Sequence, residues 1–336
     1  MIKILCLHIA SRRPSYRYRV NQFLPFWSEY GISLETVCIS GKETLNLFKY
    51  LFRYTDYDYV WIQRKALPVA IIKFISLCTK VIYDFDDALY ARECMTTEAI
   101  SPQNRGVIGR FNYTLKKSAL VFAGNATLKS YAEKFNPVVH IIPTSLELPE
   151  IHIRQAVESE GITIGWIGVN SNLFFLKLID RATRYIQDKY PHVRFSVMSG
   201  KMPEDLITKW EFSEWSSDNE KNWLSSIDIG IMPLTDDEWS RGKCAFKLLQ
   251  YMAYGKPVVA SDVGANRDVV LPGLNGFLVD DVTEWTQALE ELVTQNEMRN
   301  TMGLNGKALY EKSYKREIVQ QQISDLIRND HVKRKR

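Results

Sequence analysis

The sequence predicts an α/β protein made of two doubly wound domains that face a cleft. Three observations carry this expectation. A chain of 336 residues is too long for one ordinary core. Strand-length apolar runs alternate with helix-length amphipathic segments, the pattern of parallel sheets. The alternation stops at a polar, Glu-rich stretch, residues 146–160, and then restarts. The expected units are therefore 1–148, 160–310 and a last helix, 311–330, that packs back on the first domain.

The first unit reads in order. Ile2–His8 is a strand. Val20–Tyr30 is a helix with Phe23, Leu24 and Trp27 on one side and Gly31 after it. A strand at Ser33–Ile39, a helix at Lys42–Phe52 and a strand at Tyr59–Gln63 follow. Pro68–Cys78 is a helix opened by proline, and Lys80–Asp84 is the next strand. Helices at Ile108–Ser118 and Leu128–Phe135 enclose a strand at Leu120–Ala123, and Val138–Ile142 closes the set.

In the second unit, strands are expected at Ile162–Ile167, Val193–Met198, Ile227–Met232, Val258–Ser261 and Gly276–Val279. Leu274-Asn275-Gly276-Phe277 before the last of these is a tight-turn signal. Helices are expected at Leu173–Lys189, near Glu220–Ser225, after Gly242, at Val282–Gln295, at Glu297–Tyr310 and at Arg316–Arg328.

Composition narrows the class. Apolar residues make up 46% and charged residues 24%, which suits a globular protein without low-complexity segments. Cys6, Cys38, Cys78, Cys94 and Cys244 show neither CxxC spacing nor a pairing logic, so reduced thiols in the cytoplasm are expected. Met1–Leu7 is only of strand length and lacks a cleavage site, and no apolar run reaches transmembrane length. The net charge of +4 is uneven. Residues 1–148 carry 19 Lys and Arg against 12 Asp and Glu, and the remainder is net acidic. Basic residues interleave with aromatics at Tyr16-Arg17-Tyr18-Arg19, and the chain ends in Lys333-Arg334-Lys335-Arg336. An anionic membrane surface on its inner face is therefore an expected partner, with a solvated basic face as the alternative. No nucleic-acid recognition motif is present.

The most informative segment is Arg241–Ser261. Gly242 permits close approach to a ligand, and Lys243 and Lys247, four apart, would share a helix face with Gln250. A helix N-terminus with two lysines binds phosphate. The alternative is that the lysines reach solvent or pair with Asp236, Asp237 or Glu238. In the first unit, Asp84-Phe85-Asp86-Asp87 follows a strand. Crowded carboxylates there suit an acid–base group, a turn and helix cap, or a metal. Arg17 and Arg19 lie after the first strand, in a loop that faces the cleft. They could hold a phosphate through forked contacts or pair on the surface with Glu29 or Glu35.

Several segments, in this order, resemble a known family. They are Ile164-Gly165-Trp166-Ile167-Gly168, Ile227–Leu234 with its Pro233 turn, Gln250–Val259, Val263-Gly264-Ala265-Asn266, and Leu271–Phe277. The chain is similar to retaining glycosyltransferases of the GT-B fold, family 4, with two Rossmann-like domains. The resemblance implies a nucleotide-diphosphate sugar as donor and a glycan or lipid-linked acceptor, with no metal or other cofactor. It implies donor contacts at Gly168, Gly242, Lys243, Lys247, Gln250, Gly264, Ala265 and Asn266. Asp84 or Asp86 would act on the acceptor hydroxyl, with Arg17, Arg19, Arg64 and Asp87 holding acceptor or phosphate. Lys243 and Lys247 would stabilise the leaving diphosphate. One departure stands out: the two glutamates usual on the donor helix are Gly242 and Gln250 here. A catalytically inactive partner protein and a sugar-nucleotide epimerase are the alternative readings.

Overall fold

The computed structural model describes residues 1–9, 14–41, 46–50, 53–92, 104–147 and 161–335. Two six-stranded parallel sheets form the core, in the orders β2-β1-β3-β4-β5-β6 and β12-β11-β10-β7-β8-β9. The α/β two-domain expectation holds. Most of the expected linker, residues 148–160, lies outside the described residues, as does Cys94.

In the first sheet the strands are β1 (Ile2–His8), β2 (Ile32–Cys38), β3 (Tyr59–Gln63), β4 (Lys80–Phe85), β5 (Leu120–Ala123) and β6 (Val139–Ile141). Its helices are α1 (Pro14–Arg19), α2 (Asn46–Lys49), α3 (Val69–Cys78), α4 (Arg105–Lys117) and α5 (Ala126–Ala132). The middle strands are nearly all buried along their length because helices cover both faces. Asn104 and Asn125 start α4 and α5 by accepting from Gly106 N and Leu128 N, each at 2.8 Å.

Three local expectations change. The stretch after residue 20 is a 3-10 helix, Asn21–Tyr30, because Pro25 inside it cannot donate an α-helical hydrogen bond. Arg17 and Arg19 lie on the short helix α1, not in a loop. Of the helix expected at Lys42–Phe52, the described part is α2.

The second sheet and its helices run β7 (Ile162–Ile167), α6 (Asp180–Lys189), β8 (Val193–Ser199), β9 (Trp210–Glu214), α7 (Ser217–Ser226), β10 (Ile229–Met232), α8 (Glu238–Arg241), α9 (Phe246–Ala253), β11 (Val258–Ser261), α10 (Asn266–Val269), β12 (Gly276–Val279), α11 (Val282–Thr294), α12 (Asn296–Ser313) and α13 (Arg316–Lys335). The helix expected at Leu173–Lys189 is two pieces, a 3-10 helix at Asn170–Leu178 and then α6. Asp180 fixes the break by accepting from Ile207 N at 2.7 Å and Thr208 N at 3.0 Å. The edge strand β9 has no counterpart in the sequence reading. Its mostly exposed, charged pattern hides the alternation that marks a strand.

In each sheet the chain reverses direction of growth once, at β1/β3 and at β7/β10. Ligands of doubly wound sheets bind at such points, beyond the carboxyl ends of the strands. The last helix returns to the first domain. Val319, Ile323 and Ile327 of α13 join a core with Ile2, Trp27 and Trp61. Asp330 accepts from Tyr59 Oη at 2.6 Å and pairs with Lys80 Nζ at 2.8 Å. No helix among the described residues is long and apolar enough to cross a membrane.

Candidate active site

The segment before α9 corrects the sequence reading in two ways. Ala245 takes a left-handed conformation at φ 51°, so the helix starts only at Phe246. Lys243 and Lys247 therefore do not share a helix face, because Lys243 precedes the helix. Gly242 is the second correction. A Cβ there would lie 2.5 Å from Ala88 Cβ and 3.0 Å from Ala88 N. The glycine makes room for the opposite domain. The same connection is held by Asn125 Nδ2 donating to Lys243 O at 2.9 Å and Cys244 Sγ donating to Asp86 O at 3.2 Å.

Both lysines nevertheless converge on one place. Lys243 Nζ sits 3.5 Å above the Trp239 ring, and Lys247 Nζ lies 5.2 Å from the Trp166 ring. Trp166 is in β7 at the chain-reversal point. Gly168 just beyond it leaves the space, since a Cβ would come within 2.9 Å of Lys247 Cε. Burial pushes the Lys247 ammonium down to about 7, the neighbouring Lys243 adds to the shift, and Asp87 across the cleft opposes it. Both lysines thus lie over aromatic faces, and Lys243 Nζ also reaches Asn172 Oδ1 at 3.5 Å.

Backbone donors lie close in the chain. The first N–H groups of α9, from Phe246 and Lys247, have no partner within the helix. Gly264 stands at φ 53°, where a Cβ would meet Arg241 O at 2.7 Å, so only glycine fits. Ala265 follows it as the residue preceding α10. The Asn266 N–H, expected as a backbone donor to the ligand, donates instead to Val263 O at 3.1 Å. The side chain is buried, and Nδ2 donates to Ser261 O at 2.9 Å. Gln250 is 4% exposed, and its Nε2 donates to Glu220 Oε1 at 3.1 Å.

On the opposite side, two expected site residues serve the core. Arg19 is 3% exposed and Asp84 1%. Arg19 Nη2 and Nε bind Asp84 Oδ1 at 2.5 and 3.0 Å, while Nη1 donates to Ile142 O at 2.8 Å. Burial raises the Asp84 pKa and Arg19 opposes the rise. With both groups enclosed and mutually bound, neither reaches an acceptor hydroxyl or a phosphate. The pairing with surface glutamates is also corrected, because Arg17 pairs with Glu220.

Asp86, Asp87 and Arg64 remain at the cleft. Arg64 takes a left-handed φ of 61°, a conformation that costs about 1–3 kcal/mol for a non-glycine residue. The bend is held by Arg64 N donating to Asp84 O at 2.7 Å. It aims the guanidinium at Asp87, at Asp86 Oδ1 3.8 Å away, and at Ser15 Oγ at 3.1 Å. Ser15 in turn donates to Asp86 Oδ2. Asp86 Oδ1 is buried and accepts no hydrogen bond. Among the described residues no group of three or more His, Cys, Asp or Glu side chains is placed to hold a metal ion.

Residues 162–295 match the family model described as glycosyl transferases group 1. The structure aligns with that of Anabaena HepE in complex with UDP and glucose, TM-score 0.73 at 13% identity, covering 97% of this chain and 99% of that one. It aligns with the sucrose-phosphate synthase of Thermosynechococcus elongatus at TM-score 0.76 and 13% identity, covering 98% and 99%. The fold is GT-B, and the second domain carries the match to glycosyl transferases group 1.

Sequence relatives match over shorter lengths. An uncharacterized glycosyltransferase of Methanocaldococcus jannaschii is 36% identical over 107 residues, 27% of this chain and 30% of that protein. The D-inositol 3-phosphate glycosyltransferase of Paenarthrobacter aurescens is 32% identical over 84 residues, 24% of this chain and 19% of the relative. The chain thus spans under a third of these relatives in matched sequence. Within the GT-B frame, sequence reasoning missed Glu220, Ser15 and Trp239. Glu220 was visible only as one acidic residue in the first turn of a helix cap, and Trp239 as one aromatic among several.

Proposed function

We propose that this GT-B protein transfers a sugar from a nucleotide-diphosphate sugar to a glycan or glycolipid acceptor. We further propose retention of configuration, no metal requirement, and a role in cell-envelope polysaccharide assembly. One observation carries the reading. Two lysines from the end of a connection and the start of α9 meet beside bare backbone N–H groups, at the carboxyl ends of β7 and β10. Negative charge grows on the diphosphate as the glycosidic bond breaks. Lys243, those N–H groups and Lys247, protonated as the diphosphate binds, would supply positive charge where it grows, which is the largest kind of catalytic contribution. They do electrostatically what a cation would do.

Across the cleft, the reading gives Asp86 the role of acting on the acceptor hydroxyl, once its buried Oδ1 is turned toward the cleft. One of its oxygens is held by Ser15 and the other is unsatisfied. Arg64 fixes the carboxylate pair and offers a partner for acceptor oxygens. Gln250 carries the ribose role through its carbonyl oxygen.

Membrane attachment belongs to the same reading. Helices α3 and α4 contain no acidic residue, and Lys73, Arg105, Lys116 and Lys117 stand exposed beside Val69 and Leu77, the latter 77% exposed. Mixed basic and apolar exposure suits an anionic bilayer surface.

Turnover of a panel of nucleotide sugars by wild type, Lys243→Ala and Lys247→Ala tests the reading. It predicts product with wild type and a loss of about 10²–10³ in kcat with either variant. Nucleotide binding without any product would instead establish the inactive-partner reading, which the missing glutamates favour.

A further inference from the structure

Glu220 has no role in the chemistry above, yet four groups converge on it. The residue, on α7, is 6% exposed. Trp215 Nε1 donates to Oε2 at 2.7 Å and Gln250 Nε2 to Oε1 at 3.1 Å, both from its own domain. The other two come from helix α1 of the first domain. Tyr18 Oη donates to Oε1 at 2.6 Å, and Arg17 Nη1 lies 3.5 Å from Oε2. A carboxylate has room for about four such donors, so the site is filled only when the domains are together.

The chemistry of the pair fixes the amide. A carboxylate accepts and does not donate. Gln250 must therefore turn its NH₂ toward Glu220, which commits its carbonyl oxygen to the other side. Without Glu220 the amide could present either group to a ligand. A sugar hydroxyl that needs an acceptor would then meet a mixture of acceptor and donor.

We propose that Glu220 is a positioning residue. It holds Gln250 as an acceptor for a ribose hydroxyl of the donor, and it links that orientation to domain closure through Tyr18 and Arg17. This rests on the donor-site reading above. It assigns to a carboxylate on another helix the orienting task left open where the donor helix carries Gln250.

The test compares UDP, GDP and ADP with their 2′-deoxy analogues by calorimetric titration of wild type, Glu220→Gln and Tyr18→Phe. Wild type should bind at least one ribonucleotide about tenfold or more tighter than its deoxy form, since a site built for a hydroxyl rejects the analogue that lacks it. Glu220→Gln should bring the two forms to within about twofold, because a glutamine at 220 no longer dictates the Gln250 flip. Tyr18→Phe, which removes one oxygen in the opposite domain, should reduce the preference partway. It should also raise the radius of gyration in small-angle scattering without ligand. A full ribose preference retained by Glu220→Gln, or no preference in wild type, overturns the inference while leaving the donor site intact. No nucleotide binding by wild type at all overturns the donor reading itself, and the inference with it.

Discussion

The two sides of the cleft handle charge in opposite ways. On the N-terminal side, two cations are spent on carboxylates of the same domain, Arg19 on Asp84 within the core and Arg64 on Asp86 and Asp87 at the rim, while Arg17 crosses to Glu220. On the C-terminal side, Lys243 and Lys247 rest on the faces of Trp239 and Trp166. A cation on an aromatic face keeps most of its charge available, whereas one in a carboxylate fork does not. The Arg19–Asp84 pair thus supports the fold, whereas on the proposed reading Lys247 meets a ligand.

The contrast can be broken first at its structural end. Arg19→Ala should cost about 3–5 kcal/mol of stability, because it leaves the Asp84 carboxylate buried and unpaired. Urea unfolding measures this, and a loss under about 1 kcal/mol would remove the distinction between the two sides. The next effect is functional. Lys247→Ala should lower kcat by about 10²–10³ with little change in the unfolding midpoint. A stability loss like that of Arg19→Ala would place Lys247 among the structural charges instead. Gly242→Ala comes third. Its methyl would press on Ala88, and overpacking of this kind costs about 1–3 kcal/mol. The cost should appear as a larger radius of gyration, and an unchanged value would mean the domains do not need that approach. The smallest effect is at Arg17, whose side chain is 32% exposed in its pair with Glu220. Arg17→Ala should change stability by less than about 1 kcal/mol in the same urea assay.

The fold was largely legible because parallel strands buried on both faces leave continuous apolar runs, as in Ile162–Ile167 and Val258–Ser261. What was not legible depended on partners far along the chain. Arg19 and Asp84 each read as a cleft residue, since nothing local announces a pairing over 65 positions. Gly242 signalled a close approach, and the sequence could not say whether ligand or protein would approach. The phosphate-binding segment was visible in Lys243 and Lys247, but not its shape. Ala245 in a left-handed conformation is a choice that an alanine does not advertise. Helix α1 was missed because Tyr16-Arg17-Tyr18-Arg19 shows no apolar period of 3.6.

The central claim is that Lys247 is held to meet a diphosphate, and its pKa gives the direct test. Burial holds the free ammonium near 7, with Lys243 assisting. A bound diphosphate favours the charged form and raises that value. Binding therefore takes up a proton above pH 7, and affinity falls as pH rises through and beyond about 7. Calorimetric titration of whichever of UDP, GDP and ADP wild type binds, between pH 7 and 9, should show affinity dropping by about tenfold per unit. Lys247→Met, which keeps the packing against Trp166, should bind more weakly at pH 7 and show no such slope. The same slope in both proteins would contradict the account.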